Sequence, residues 1–299
     1  MLRATVDDVV VCCSTGALPL IGEPIDIVVA SYDAIAAEHR RAFFDRFDDL
    51  RVQGRLVVYL SEFDRPELAI LFGERQLMNI LARSDALDAD ELSVTLQKML
   101  RGEIFGVDRY FRAGATTKTL AIHGTSQRDE VFEVARRFAT DAGVSSRHTE
   151  LFCTVVDELV TNALYNAPRD NHGRALYAHF PRTQEVTLQP DEQIDVTMCV
   201  DGQRLGIAVA DPYGSLTSGT VLQYLAKCFR KGTDQLDQKD GGAGLGLYQV
   251  FESVTQFVVN LDLGKQTEII GLIDFRGRYR DFVVRPKSIN IFDHSNQHT

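Results

Sequence analysis

The segment "IDVTMCVDGQRLGIAVAD", residues 194–211, limits the possible folds more than any other part of the chain. Apolar and polar residues alternate on both sides of Asp201-Gly202. A turn of that composition joins antiparallel strands whose side chains point to opposite faces in succession. The segment "QFVVNLDLGKQTEIIGLIDF" has the same form and turns at Gly264. A sheet with one apolar face needs helices to cover it, and two amphipathic patterns precede the first hairpin. "SQRDEVFEVARRFATDAG" opens on a Ser cap and stops at Gly143, and "SSRHTELFCTVVDELVTNALYNAP" is capped by Ser145 or Ser146 and ended by Pro168. A strand "EVTLQ" and a helix "GTVLQYLAKCFRKG" complete this half.

The first half has another rhythm. Short β-rich runs at 8–13, 26–30 and 55–60 alternate with helical patterns over 33–50, 66–82 and 88–101. This predicts a small α/β domain with a mainly parallel sheet. The weakly periodic "RAGATTKT", 112–119, marks the expected boundary, so the domains are read as 1–112 and 113–299.

Composition narrows the function. The chain has 299 residues, 44% of them hydrophobic and 25% charged, with a net charge of −10. That balance is globular and argues against a nucleic-acid partner. Apolar runs are too short to span a bilayer, and Asp7 and Asp8 interrupt the place of a signal peptide. Five cysteines without a paired spacing predict reduced thiols in a cytoplasmic protein. His148, His172 and His179 are scattered and show no zinc spacing.

Three segments carry possible chemistry. Glu158 and Asn162 stand four apart on one helix face, where an acid and a carboxamide can hold a metal ion or a water. Asp211 ends a strand and is followed by Pro212, Tyr213 and Gly214. A carboxylate there either closes the turn or accepts a hydrogen bond from the amine of a base. In "KDGGAGLGLYQV", Gly242, Gly244 and Gly246 open an amphipathic helix. Taken alone, these glycines admit phosphate oxygens or a close-packed helix equally. Neither the dinucleotide fingerprint nor the P-loop is matched.

The order "ELVTNALYNA", "DPYG", "GAGLGL" resembles the GHKL ATPase superfamily of gyrase, heat-shock chaperones, histidine kinases and MutL-type mismatch-repair proteins, over about 120–275. The resemblance implies a two-layer α/β sandwich with a mixed sheet that binds ATP and Mg²⁺. It implies Asn162 as the Mg²⁺ ligand and Glu158 as the residue that orients or deprotonates the nucleophile. Asp211 would take the adenine amine, with Gly214 beside the ring, and Gly242, Gly244, Leu245 and Gly246 would meet the phosphates. Thr267 would assist adenine recognition, although Gln266 stands where the family often has glycine. Residues 215–241 would form a lid, with Arg230 and Lys231 able to approach the phosphates.

Within the superfamily the chain is most similar to anti-sigma-factor serine kinases. These phosphorylate a serine of an antagonist protein and bind a sigma factor. Alternatives are an ATP-binding regulator that transfers nothing, or a histidine-kinase-like protein whose acceptor lies on another chain. His39 and His123 lack the helical-hairpin setting of a phosphoacceptor. The first half resembles a degenerate receiver domain, with Ser31 in place of the acceptor Asp and Ser61 in the Thr/Ser position. That implies an unphosphorylated protein-interaction or dimerisation module, with a homodimer as one form it could support.

Overall fold

The computed structural model describes residues 25–62, 64–82, 89–170, 172–190, 192–231, 243–276 and 279–297. The expected strand at 8–13 and Asp7, Asp8, Cys12 and Cys13 lie outside them. Among the described residues, nine strands form one mixed sheet in an α/β fold. They are β1 (Val28–Ser31), β2 (Leu56–Leu60), β3 (Asn79–Ala82), β4 (Thr116–Ile122), β5 (Ile194–Val200), β6 (Arg204–Asp211), β7 (Gln256–Asp262), β8 (Gln266–Asp274) and β9 (Ser288–Asp293). Across the sheet the order is β1-β2-β3-β9-β7-β8-β6-β5-β4. The helices are α1 (Ala37–Arg46), α2 (Asp48–Val52), α3 (Arg65–Gly73), α4 (Ala89–Arg101), α5 (Arg128–Asp141), α6 (Ser146–Tyr165), α7 (Ser218–Lys231), α8 (Ala243–Glu252) and α9 (Tyr279–Val284).

One alternation runs the width of the sheet. Leu56, Val58, Ile80, Ile289, Phe257, Val259, Ile273, Val209, Ile207 and Val196 face a single large core shared with α1, α3, α5, α6, α7 and α8. Their neighbours Val57, Leu81, Phe292, Val258, Ile270 and Ala208 face a smaller core closed by α4 and the segment through Tyr110. In the first half, β1, β2 and β3 pair in parallel. Successive right-handed crossovers in one direction put α1 and α3 on the same face.

The two sequence halves meet in the middle of this sheet. Strand β9, near the end of the chain, pairs antiparallel with β3 and parallel with β7. The expected boundary at 112 falls just before β4, at the far edge of the same sheet. Buried amides cross the seam: Gln256 Nε2 donates to Asn290 Oδ1 (2.9 Å), Asn290 Nδ2 to Asn79 Oδ1 (3.1 Å), and Asn79 Nδ2 to the Gly54 carbonyl (2.8 Å).

Several sequence expectations need correction. The helix expected over 66–82 ends at Gly73, and residues 79–82 are strand. Every residue of that strand is buried, and so short an apolar run has no periodicity to separate strand from helix. The helix expected over 33–50 breaks at Phe47 into α1 and α2. Ser126 does not cap α5. It lies in a 3-10 turn, and the N-cap is Gln127. "EVTLQ" makes only an isolated bridge, Thr187 to Gly124. Strand β4 arises inside the segment read as a linker because four residues of this edge strand, Thr116–Thr119, are exposed. Strand β9 and helix α9 were not anticipated.

The amide seam is testable. In Asn290→Leu, Asn79 loses a donor and Gln256 an acceptor, both buried, which costs about 2–4 kcal/mol. Urea unfolding is expected to show that loss as a lower midpoint with an unchanged slope.

Candidate functional site

Helix α6 carries the first part of the site. It packs on β5, β6 and β8 and against α5 and α8. Its apolar stripe, Phe152, Val155, Val156 and Leu159, is buried. A bidentate ion pair, Arg128 Nε and Nη2 to the Asp157 carboxylate (2.7 and 2.8 Å), fixes it to α5. Along its edge, Asn162 Nδ2 donates to Glu158 Oε1 (3.0 Å) and Asn166 Nδ2 donates to Asn162 Oδ1 (2.6 Å). Burial raises the pKa of Glu158 above the usual carboxylate value. The Asn162 hydrogen bond and the charge of Arg182 oppose that shift.

The second part is the end of β6. Asp211 stands directly opposite Thr267 of β8. Both share the alternation of Val209, Ile207 and Ile273, so they point to the face covered by α6. Asp211 is 7% exposed and Thr267 is 2% exposed. The Thr267 hydroxyl has no hydrogen-bond partner, and a buried hydroxyl without one is costly unless a ligand supplies it. Asp211 accepts hydrogen bonds from the backbone N–H of Tyr213 (3.0 Å) and from that of Gly214. Burial pushes its pKa up to about 7, against those two bonds and the charge of Arg169. Arg169 Nη1 in turn donates to the Asn166 carbonyl (2.6 Å), which ties the strand end to the end of α6.

Gly214 has a structural reason of its own. Its φ is +53°, and a Cβ there would lie 2.5 Å from Lys265 N and 2.7 Å from Gly264 N in the β7–β8 turn. The Gly214 carbonyl accepts the Gly264 N–H (2.9 Å).

The third part is the start of α8. A Cβ on Gly246 would overlap the carboxylate of Glu158 and lie 2.5 Å from its Cδ. Of the two readings the sequence left open, close packing against a helix accounts for this glycine. The neighbour is Glu158, the acid that shares a helix face with Asn162. Gly244 and Leu245 lie in the first turn of α8, where main-chain N–H groups have no partner within the helix. Gly242 lies outside the described residues. Arg230 is directed to the end of α3, 3.8 Å from Glu74 and beside Gly73, where a Cβ would lie 2.8 Å from its Nη2.

Glu158, Asn162, Asp211, Thr267 and Gly246 are thus joined through Asn166 and Arg169 into one continuous region. Asn166 was legible as a third residue at the four-residue spacing but was not singled out. Arg169 and Arg182 carry no periodic signal, because they belong to the irregular segment after α6. No protein-family model matches the chain, and no curated protein matches it. Among the described residues, no group of three His, Cys, Asp or Glu side chains could hold a metal. The Asn162 and Glu158 oxygens suit Mg²⁺, which retains waters and takes substrate phosphate as ligand. No described helix is long and apolar enough to cross a membrane.

Two stability measurements probe this geometry. Gly246→Ala is expected to destabilise by about 1–3 kcal/mol while Glu158 is present. In a Glu158→Ala background it is expected to stabilise by about 0.5–1 kcal/mol, the helix preference for alanine over glycine. For Asp211, the folded pKa lies above the unfolded value, so the folded protein retains a proton that the unfolded chain has lost. Stability therefore falls as pH rises from about 4 to about 7. Asp211→Asn is expected to match the wild type near pH 4 and to exceed it by about 1–3 kcal/mol above pH 8, read by thermal melting across that range.

Proposed function

We propose that this chain is an ATP-binding signalling protein that uses Mg-ATP to phosphorylate a serine of a protein partner, or to switch that partner. The partner class is a sigma factor or its antagonist. The observation that carries the reading is the buried pair Asp211 and Thr267, opposed in register with the hydroxyl unpartnered. The edge of adenine presents an amine donor beside a ring-nitrogen acceptor. A carboxylate that accepts next to a hydroxyl that donates complements that edge, whereas guanine reverses the pattern.

The other residues have roles consistent with it. The first-turn N–H groups of α8, at Gly244 and Leu245, attract phosphate oxygens through the helix dipole. Asn162 would hold Mg²⁺, which neutralises phosphate charge when bound. Glu158, with its pKa raised by burial, is suited to take the proton of an attacking hydroxyl. The glycine at 246 lets that carboxylate sit against the helix start.

A second reading, an ATP-dependent regulator without transfer, draws on α7. This helix packs against α3, with the Phe72 and Phe229 rings 5.8 Å apart, so a nucleotide that moved α7 would shift the first half as well.

Titration of the full chain with a fluorescent ATP analogue in Mg²⁺ tests the shared reading. Binding is expected, with ATP preferred to GTP, and Asp211→Asn and Thr267→Val should each weaken it about tenfold. The absence of binding, or unchanged affinity in both variants, sinks the reading. Transfer of labelled phosphate to a serine of the partner, lost in Glu158→Gln while binding persists, separates kinase from regulator. Acid-labile product would instead favour a histidine acceptor.

A further inference from the structure

Four side chains form a hydrogen-bond ladder with a single direction. Arg182 Nη2 donates to Asn166 Oδ1 (3.3 Å), Asn166 Nδ2 to Asn162 Oδ1 (2.6 Å), and Asn162 Nδ2 to Glu158 Oε1 (3.0 Å). The ends set that direction, because a guanidinium can only donate and an ionised carboxylate can only accept. Between them, each carboxamide has one orientation that avoids facing oxygen to oxygen or N–H to N–H. Turning Asn162 over would put its oxygen on Glu158 and its NH₂ against the NH₂ of Asn166.

Arg182 is exposed, and a lone surface arginine would hold no such position. Here its guanidinium lies 4.6 Å above the ring of Tyr165. The Tyr165 hydroxyl also bonds to the carbonyls of Arg182 (3.0 Å) and Gln184 (2.6 Å). Tyr165 is itself 1% exposed and belongs to α6. The arginine is therefore anchored to the helix whose amides it orients.

We propose that Arg182 is a positioning residue. Acting through Asn166, it holds the Asn162 carboxamide with its nitrogen committed to Glu158 and one lone pair of its oxygen left for a cation. The cation clause rests on the Mg-ATP reading, and the ladder does not. Without Arg182 the Asn166 amide can turn over, and Asn162 then loses the donor that orients its oxygen.

The experiment uses the full chain with Arg182→Met, Arg182→Lys and Asn166→Ala, and reads two quantities. One is the side-chain amide ¹⁵N–¹H signal of Asn162 without nucleotide, assigned by its loss in Asn162→Asp. The other is ATP affinity in Mg²⁺ and in EDTA. In Arg182→Met and Asn166→Ala the amide signal is expected to move, and the gain in affinity from Mg²⁺ to fall about two- to tenfold, the worth of one hydrogen bond. Affinity in EDTA should hold, and Arg182→Lys should recover part of the gain. An unmoved amide signal with an unchanged Mg²⁺ gain overturns the proposal. So does an equal loss of affinity with and without Mg²⁺. If the wild type binds no nucleotide, the Mg-ATP reading and the cation clause fail together, and the amide signal alone decides the ladder. Should Arg182→Met not fold, Asn166→Ala carries the same test.

Discussion

Strand β9 is the element on which the rest of the structure depends. It has a neighbour on each edge, β3 on one side and β7 on the other, so its main-chain groups are satisfied only when both halves of the chain are present. Asn290 within it is 0% exposed and bonds side chains on both neighbours. Burying an amide is unfavourable unless it is paired, so this residue accepts one register and penalises slippage. The first half is thereby fused to the second by a shared ladder rather than attached through a linker.

The same fusion reaches the candidate site. Helix α3 of the first half rests on α7, and its Arg65 bonds the Tyr248 hydroxyl (2.6 Å) and Glu252 (3.2 Å) of α8. Lys287, just before β9, donates to the carbonyls of Glu252 (2.7 Å) and Val254 (3.0 Å). A cation there complements the negative end of the α8 dipole. The other end of α8 meets Glu158. One helix is thus gripped by the first half at its end and by the acidic side chain near its start.

Period-two alternation also separates two kinds of chemistry across a single strand. Thr267 faces α6, while its neighbour Glu268 faces α4. There Glu268 accepts from the Gly106 N–H (3.0 Å) and from Asn260 Nδ2 (2.6 Å), and Asn260 Oδ1 accepts from Lys98 (3.4 Å). Burial pulls the Lys98 pKa down and pushes that of Glu268 up. A buried charged cluster of this kind is weak support for stability, and Lys98 links α4 to it through Asn260 of β7. The back of the sheet behind the Asp211–Thr267 pair is therefore filled.

Local signals were legible in the sequence. The hairpins at Asp201-Gly202 and Gly264, helix α6 with Glu158 and Asn162 one turn apart, and the helix opening at the glycines all follow from period, cap and turn chemistry within a dozen residues. The role of Gly246 did not, because the atom that forbids a side chain there belongs to Glu158, eighty-eight positions earlier. Strand β9 and Arg182 were invisible for a related reason. One is a short run in which Ser288 and Asn290 are as buried as Ile289 and Ile291, so its polarity does not report its burial, and the other is a single charge in an irregular segment. The sequence by itself determined the two hairpins, helix α6 and the helix that opens at the glycines, and which side chains bring acid, amide and hydroxyl. Only the tertiary structure decided that Asp211 stands opposite Thr267, that Gly246 yields to Glu158, and that both halves share one sheet. Those are register and packing facts between distant segments, and a chain encodes them only through the core they bury together.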